Sequence, residues 1–340
     1  MLAHARRLLS SSSASSAMTR AVLVNAGRLD YDGSLDFSRL AAACGGEPTR
    51  HDDPTPSPAA IASRAEGHSV LITKEVPVDV ASLPASVRLI CEAGTGFNNI
   101  DLVAARARDI TVCNVPTYST DAVAHLVITL ALNFSSSIVR QHRALARGDR
   151  AHFDSFAALG AYPHFELTGK TIGLIGGTGA IGAKVAEIAK SAFGMRVLVW
   201  SRSAETCERW EAARDLDDLL ERSDFVSVHC PLNERTRGLI DASALAKMKP
   251  SAFLINTARG GVLNEADVVA ALRSGQIAGA GLDVQDPEPP APDSPLYDMD
   301  NVILTPHVGW KRVETRQRLI DAVAENVEAF NAGKPRNVVS

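Results

Sequence analysis

Three residues, two of them just after apolar runs, carry the chemistry this sequence could do. Arg259 lies in "INTARGG" (255–261), Glu288 stands among prolines in "DVQDPEPP" (283–290), and His307 follows "VILTP" (302–306). A planar guanidinium holds a carboxylate through two parallel hydrogen bonds. An imidazole moves a proton near neutral pH, and a neighbouring carboxylate favours its charged form. Together they would give an anion clamp and a proton donor, to which a hydride source could be added, and nothing in the set requires a metal. Each residue also has a plain alternative. A lone histidine is more often packed or at the surface, an arginine pairs with a surface carboxylate, and a glutamate keeps a loop soluble. Position shifts the balance: Arg259, Asp283 and His307 each close a strand-like run, where open α/β sheets gather ligands.

The hydride source has its own signature. "GTGAIG" (177–182) follows the strand-like "TIGLI" and opens the helix-like "KVAEIAKSAF", so Gly177, Gly179 and Gly182 stand in a dinucleotide-binding context. Gly177 is expected to permit the tight turn, Gly179 to let a pyrophosphate approach, and Gly182 to let helix and strand pack. The next strand, "RVLVW" (196–200), ends at Ser201 and Arg202, where an NAD site usually carries an acid. Serine does not repel a 2′-phosphate and arginine pairs with one, so NADP is favoured and NAD stays open.

Strand and helix patterns alternate along the chain. Strands are expected in 20–27, 68–74, 87–94 and 110–115, with helices over 36–44 and 99–108. The stretch 119–149 reads as one long helix, capped by Ser119 or Thr120, that leaves the first domain and starts the second. Residues 150–167 are irregular and partly apolar, long enough for subunit contact. The fold class expected is α/β: two Rossmann-like or flavodoxin-like parallel-sheet domains with a cleft between them, collecting Gly94–Gly96, Arg259, Asp283 and His307. The domains are placed at 19–118 plus 306–340 for substrate and 119–305 for dinucleotide.

A net charge of -4 on 340 residues gives no reason to expect nucleic acid or an anionic membrane as partner. Five separated cysteines without metal or redox spacing point to a reducing compartment. "MLAHARRLLSSSSASSAM" has arginines and serines but no acid, so residues 1–18 are set aside as a targeting or disordered segment. Mitochondrial or other organelle import is the expectation drawn from it, with the cytoplasm as alternative.

The motifs together resemble the D-isomer-specific 2-hydroxyacid dehydrogenase family over about residues 20–339. They are "GTGFNNIDLVAARARDITVCNVPTYSTDAVA", the glycine turn, "HCPLNERTRGLI", "MKPSAFLINTARGGVLNEADVVAAL", "GAGLDVQDPEP" and "TPHVGW". "GTGFNNID" and "CNVPTYST" look most like the glycerate dehydrogenase/hydroxypyruvate reductase branch. The resemblance implies that Arg259 binds the substrate carboxylate, that His307 exchanges the proton and that Glu288 pairs with it. It implies substrate contacts from Thr95 and Gly96, with Lys74 on the other wall, and a nicotinamide contact from Asp283. It also places Thr178, Ala180, Ile181, Cys230, Pro231, Thr236, Thr257 and Ala258 along the cofactor, and implies a homodimer. The activity implied is NAD(P)H-dependent reduction of hydroxypyruvate or glyoxylate. A larger 2-hydroxy acid such as phenyllactate is the alternative, with Phe97, Tyr118 and Trp310 shaping an apolar pocket. A dinucleotide-binding corepressor-like protein is the non-enzyme alternative. The chain departs from the pattern at Gly176, Asp109, His125 and Lys311.

Overall fold

Short apolar strands, most of them followed by a helix, build two all-parallel sheets. The computed structural model describes residues 19–340, and the expectation for 1–18 lies outside them. In the first sheet the strands are β1 (Ala21–Leu23), β2 (Thr49–Arg50), β3 (Val70–Thr73), β4 (Leu89–Glu92) and β5 (Thr111–Cys113). Their order is β2-β1-β3-β4-β5. Every residue of β1, β3 and β4 is buried, as strands covered on both faces require. The C-terminal segment returns here: Val338 bridges Cys113 antiparallel, and the Val339 amide donates to Val112 O at 2.9 Å.

The second sheet holds β6 (Thr171–Ile175), β7 (Arg196–Trp200), β8 (Glu211–Ala212), β9 (Phe225–Val228), β10 (Phe253–Asn256), β11 (Gly279–Leu282) and β12 (Val302–Leu304). The order β12-β11-β10-β9-β6-β7-β8 runs outward in both directions from β6, which puts the switch point of a doubly wound sheet beside the glycine turn. Helix Thr120–Ser136 packs on helix Ala180–Phe193 and on the sheet. Gly281 on β11 makes room for it, since a Cβ there would lie 3.1 Å from both Leu130 methyl carbons. Phe134 stacks on Phe253 with ring centroids 4.6 Å apart. Burying side chains of that size stabilises the layer by roughly 2–3 kcal/mol each.

The compact units are 19–115 with 320–340, and 116–319. The second segment of the expected substrate domain began at 306, but the chain stays with the second unit to Leu319. The reason is local bonding. His307 N donates to Asp283 O at 2.9 Å, Arg312 Nη1 to Ala122 O at 2.6 Å, and Arg318 Nε to Tyr118 O at 3.1 Å. The long helix expected over 119–149 is broken. It ends at Ser136 and resumes as Ile138–Ala146, bent by 64°. Ser137 takes a left-handed φ of 51° and its hydroxyl donates to Pro163 O at 2.7 Å, holding the break. Ser119 occupies the cap position, but its side chain makes no capping bond. Among the described residues no single helix is long and apolar enough to cross a membrane, although that bent pair passes by length and composition.

Candidate active site

The second unit brings the candidate proton-transfer residues together at the ends of three adjacent strands. Arg259 follows β10, Asp283 and Glu288 follow β11, and His307 follows β12. His307 Nδ1 lies 2.8 Å from Glu288 Oε1, which leaves Nε2 as the ring atom facing away from the carboxylate. Their side chains are 13% and 32% exposed, so the pair is partly shielded yet open to a ligand. His307 has φ 51°, a left-handed backbone that costs a non-glycine residue on the order of 1 kcal/mol. Asp283 holds it there. Its Oδ1 accepts the Thr305 hydroxyl at 2.6 Å and the Val308 amide at 2.8 Å, and its Oδ2 accepts the Gly309 amide at 2.9 Å. Burial pushes the Asp283 carboxyl up despite these donors. The family resemblance implies a nicotinamide contact for Asp283, and in the structure its carboxylate also organises the histidine loop.

Arg259 is positioned by its backbone. Asn256 Nδ2 donates to Arg259 O at 2.9 Å, while Asn256 Oδ1 accepts the Ala258 amide at 3.0 Å. Gly260 follows because a Cβ there would overlap the Gln285 carbonyl. This close approach seats the β10 turn against the β11 turn that carries Glu288. Neither Asn256 nor Gly260 stood out in the sequence, although "INTARGG" contains both.

The nucleotide end lies at β6 and β7. Gly176, with φ 81°, makes the tight turn that Gly177 was expected to make. A Cβ on Gly176 would stand 2.7 Å from the Cys230 amide nitrogen. Gly177 instead packs on Leu174 and Val199, and Gly182 packs on Gly177, where a Cβ would come 2.5 Å from its Cα. A Cβ on Gly179 would meet only Gly176 O, at 3.7 Å, so the backbone is open to close approach. The 14-residue helix Ala180–Phe193, with Ala180 and Ile181 in its first turn, starts at this opening. Thr178 and Ser201 share a hydrogen bond of 3.0 Å, and Arg202 is exposed. Thr257 Oγ1 is buried with no protein partner, a polar atom suited to a ligand. Thr236 is engaged in its own loop, donating to Pro231 O at 2.6 Å. An open glycine cradle, a helix N-terminus and an orphan hydroxyl fit a dinucleotide.

Lys74, Thr95 and Gly96 belong to the first unit, at the ends of β3 and β4. Lys74 is completely buried, with its ammonium 2.9 Å from Glu75 Oε1. The Thr95 hydroxyl donates to Val115 O at 3.0 Å, and Asn114 Nδ2 donates to Thr95 O at 2.8 Å, which fixes the loop. Asp109 takes φ 52°, the left-handed angle that aspartate tolerates better than most residues. Among the described residues no group of three or more metal-ligating side chains comes together.

Residues 128–309 match the family described as D-isomer specific 2-hydroxyacid dehydrogenase, NAD binding domain. The chain is 39% identical over 287 residues to a glycerate dehydrogenase of Methylorubrum extorquens, covering 83% of this chain and 89% of that one. It is 39% identical over 287 residues to a glyoxylate reductase of Aeropyrum pernix, covering 82% and 84%. Among solved structures, a glyoxylate reductase from Paecilomyes thermophila superposes with a TM-score of 0.79 at 27% identity, covering 94% of this chain and 98% of that one.

Proposed function

The chain belongs to the D-isomer-specific 2-hydroxyacid dehydrogenase family, and on that premise we propose that it reduces hydroxypyruvate and glyoxylate to D-glycerate and glycolate. The observation that carries this reading is the His307–Glu288 pair at 2.8 Å on the strand ends next to Arg259. Bound reduced nicotinamide supplies the hydride. Arg259 holds the substrate carboxylate and polarises the neighbouring carbonyl. His307 gives its Nε2 proton to the carbonyl oxygen, and removes it in the reverse direction. Glu288 orients the ring from Nδ1 and stabilises its charged form. The resemblance also gives Thr95 and Gly96, in the loop after β4 of the first unit, a contact with the substrate carboxylate.

NADPH is the proposed preference, supported by Ser201 in the place of an acid and by the exposed Arg202 beside it. Replacing Arg202 with Ala is expected to raise KM for NADPH by about tenfold, the worth of one charge-assisted phosphate contact, and to leave KM for NADH alone. The deciding experiment is steady-state turnover of hydroxypyruvate, glyoxylate and phenylpyruvate with NADPH and with NADH. Preference for phenylpyruvate would replace this substrate class with a larger one, and no turnover at all would leave a binding protein.

A homodimer is part of this reading. Phe153 and Phe156 are 78% and 93% exposed, and Ile138 is 58% exposed, so the second half of the broken helix and the segment after it carry apolar surface that a partner copy would cover. Light scattering is expected to give twice the chain mass, falling to one chain in Phe156→Asp.

A further inference from the structure

A buried charged cluster in the first unit surrounds Lys74, which the resemblance places on one wall of the substrate pocket, and includes a carboxyl that the chemistry above does not use. Lys74 and Glu92 are both completely buried where β3 and β4 end. Glu92 Oε1 accepts the Glu75 amide at 2.9 Å, and Oε2 accepts from Asn99 Nδ2 at 2.9 Å. The same Asn99 nitrogen reaches Val76 O at 2.8 Å. One carboxyl therefore ties the 74–76 turn to the loop that runs through Thr95, Gly96 and Asn99. Gly94 lies inside this tie: a Cβ there would stand 3.2 Å from both Glu92 Oε1 and Lys74 Nζ. The backbone entering Thr95 and Gly96 is thus seated directly on the cluster.

Taking a carboxyl out of water is costly unless its neighbours compensate. Burial pushes Glu92 up to about 7, against the pull of Lys74, Asn99 and the Glu75 amide and with added repulsion from the Glu75 carboxylate. The charged groups facing it are Lys74 and Glu75. Arg28 Nη2 stands beyond them, 3.4 Å from Glu75 Oε2. The Cys91 thiol, next along β4, is pushed well up by burial and stays neutral.

Resting on the reading that Thr95 and Gly96 hold the substrate carboxylate, we propose that Glu92 is a positioning residue for that loop and a determinant of affinity for anionic substrates. It acts through Gly94, Asn99 and the Lys74–Glu75 pair. With Glu92 neutral, Lys74 and Arg28 outweigh Glu75 and the cluster favours an anion. With Glu92 ionised that excess is gone, so KM rises with pH while the proton transfer at His307 is served by other groups.

The test measures kcat and KM for hydroxypyruvate at saturating NADPH from pH 6 to 8.5, for the full chain and for Glu92→Gln and Glu92→Ala. In the unaltered protein KM should rise by about fivefold across this range, the effect of one unit charge several ångströms away. Glu92→Gln should hold KM nearly constant with pH, with kcat and NADPH affinity close to those of the unaltered protein. Glu92→Ala should raise KM at every pH, because Asn99 and the Glu75 amide lose their acceptor. A KM profile in Glu92→Gln that parallels the unaltered protein overturns the proposal. So does an equal loss in kcat and NADPH affinity, which would mark a merely structural role. If Glu92→Ala does not fold, Glu92→Gln alone decides. Failure of the unaltered protein to turn over any 2-oxo acid is a separate result, and it overturns the functional reading together with this proposal.

Discussion

At the scale of single residues, His307 and Asp283 lie side by side but should fail differently. His307 is partly exposed and its ring bonds to one carboxylate. Replacing it with Gln removes the proposed proton carrier and should lower kcat by about 10²–10⁴-fold with little loss of stability. Asp283 is buried and accepts three hydrogen bonds from the loop that carries His307. Asn in its place turns one acceptor into a donor facing an N–H or O–H. That change should cost about 2 kcal/mol of stability as well as activity. Parallel kcat and denaturation measurements on the two variants separate the roles, and equal stability in both would remove Asp283 from its organising position. Of the candidate catalytic trio, Arg259 and His307 were legible because each follows an apolar run, whereas Glu288 stands among prolines and only the family resemblance singled it out. The work of Asp283 was not legible, because an acid at a strand end reads the same whether it meets a ligand or three amides and hydroxyls of its own chain.

At the scale of elements, the strand–turn–helix unit at β6 was readable from "TIGLIGGTGAIG", and its detail was not. Six residues match the fingerprint, but the extra glycine at 176 takes the positive φ and moves the turn one position earlier. Sequence spacing cannot show which of two adjacent glycines bends the chain; the approach of the Cys230 backbone decides it. The break at Ser137 was hidden for a similar reason. Serine is tolerated inside helices, and only its bond to Pro163 fixes the left-handed angle. Two-residue strands such as β2 and β8 carry too little pattern to be seen. The packing at Gly182 gives a test at this scale. Ala there must push the first turn of helix Ala180–Phe193 away from Gly177. NADPH affinity measured by fluorescence should fall by about tenfold or more, since overpacking at such a contact costs about 1–3 kcal/mol. An unchanged affinity would show that the helix does not need to sit this close.

At the scale of the whole molecule, the two units carry buried titratable groups with opposite demands on pH. In the first, burial raises Glu92 from 4.5 to about 7. A raised carboxyl binds its proton more tightly when folded, so its contribution to stability is full below pH 4.5 and is lost as pH rises through about 7. In the second, burial lowers His229 from 6.5 to about 4, and its Nε2 has no hydrogen-bond partner. A lowered histidine contributes stability above pH 6.5 that is lost as pH falls through about 4. Between pH 4.5 and 6.5 the two slopes oppose each other, and the whole chain should show a shallow dependence there. Single variants uncover each slope. Glu92→Gln should remove the decline toward neutral pH, leaving stability to rise with pH up to about 6.5 as His229 demands. His229→Gln should do the reverse, leaving stability to fall from pH 4.5 toward 7. Urea midpoints measured at half-unit steps of pH read both. If both variants keep the shallow profile of the unaltered chain, neither group is buried in the protonation state that its surroundings favour, and the pH response belongs to the surface charges instead.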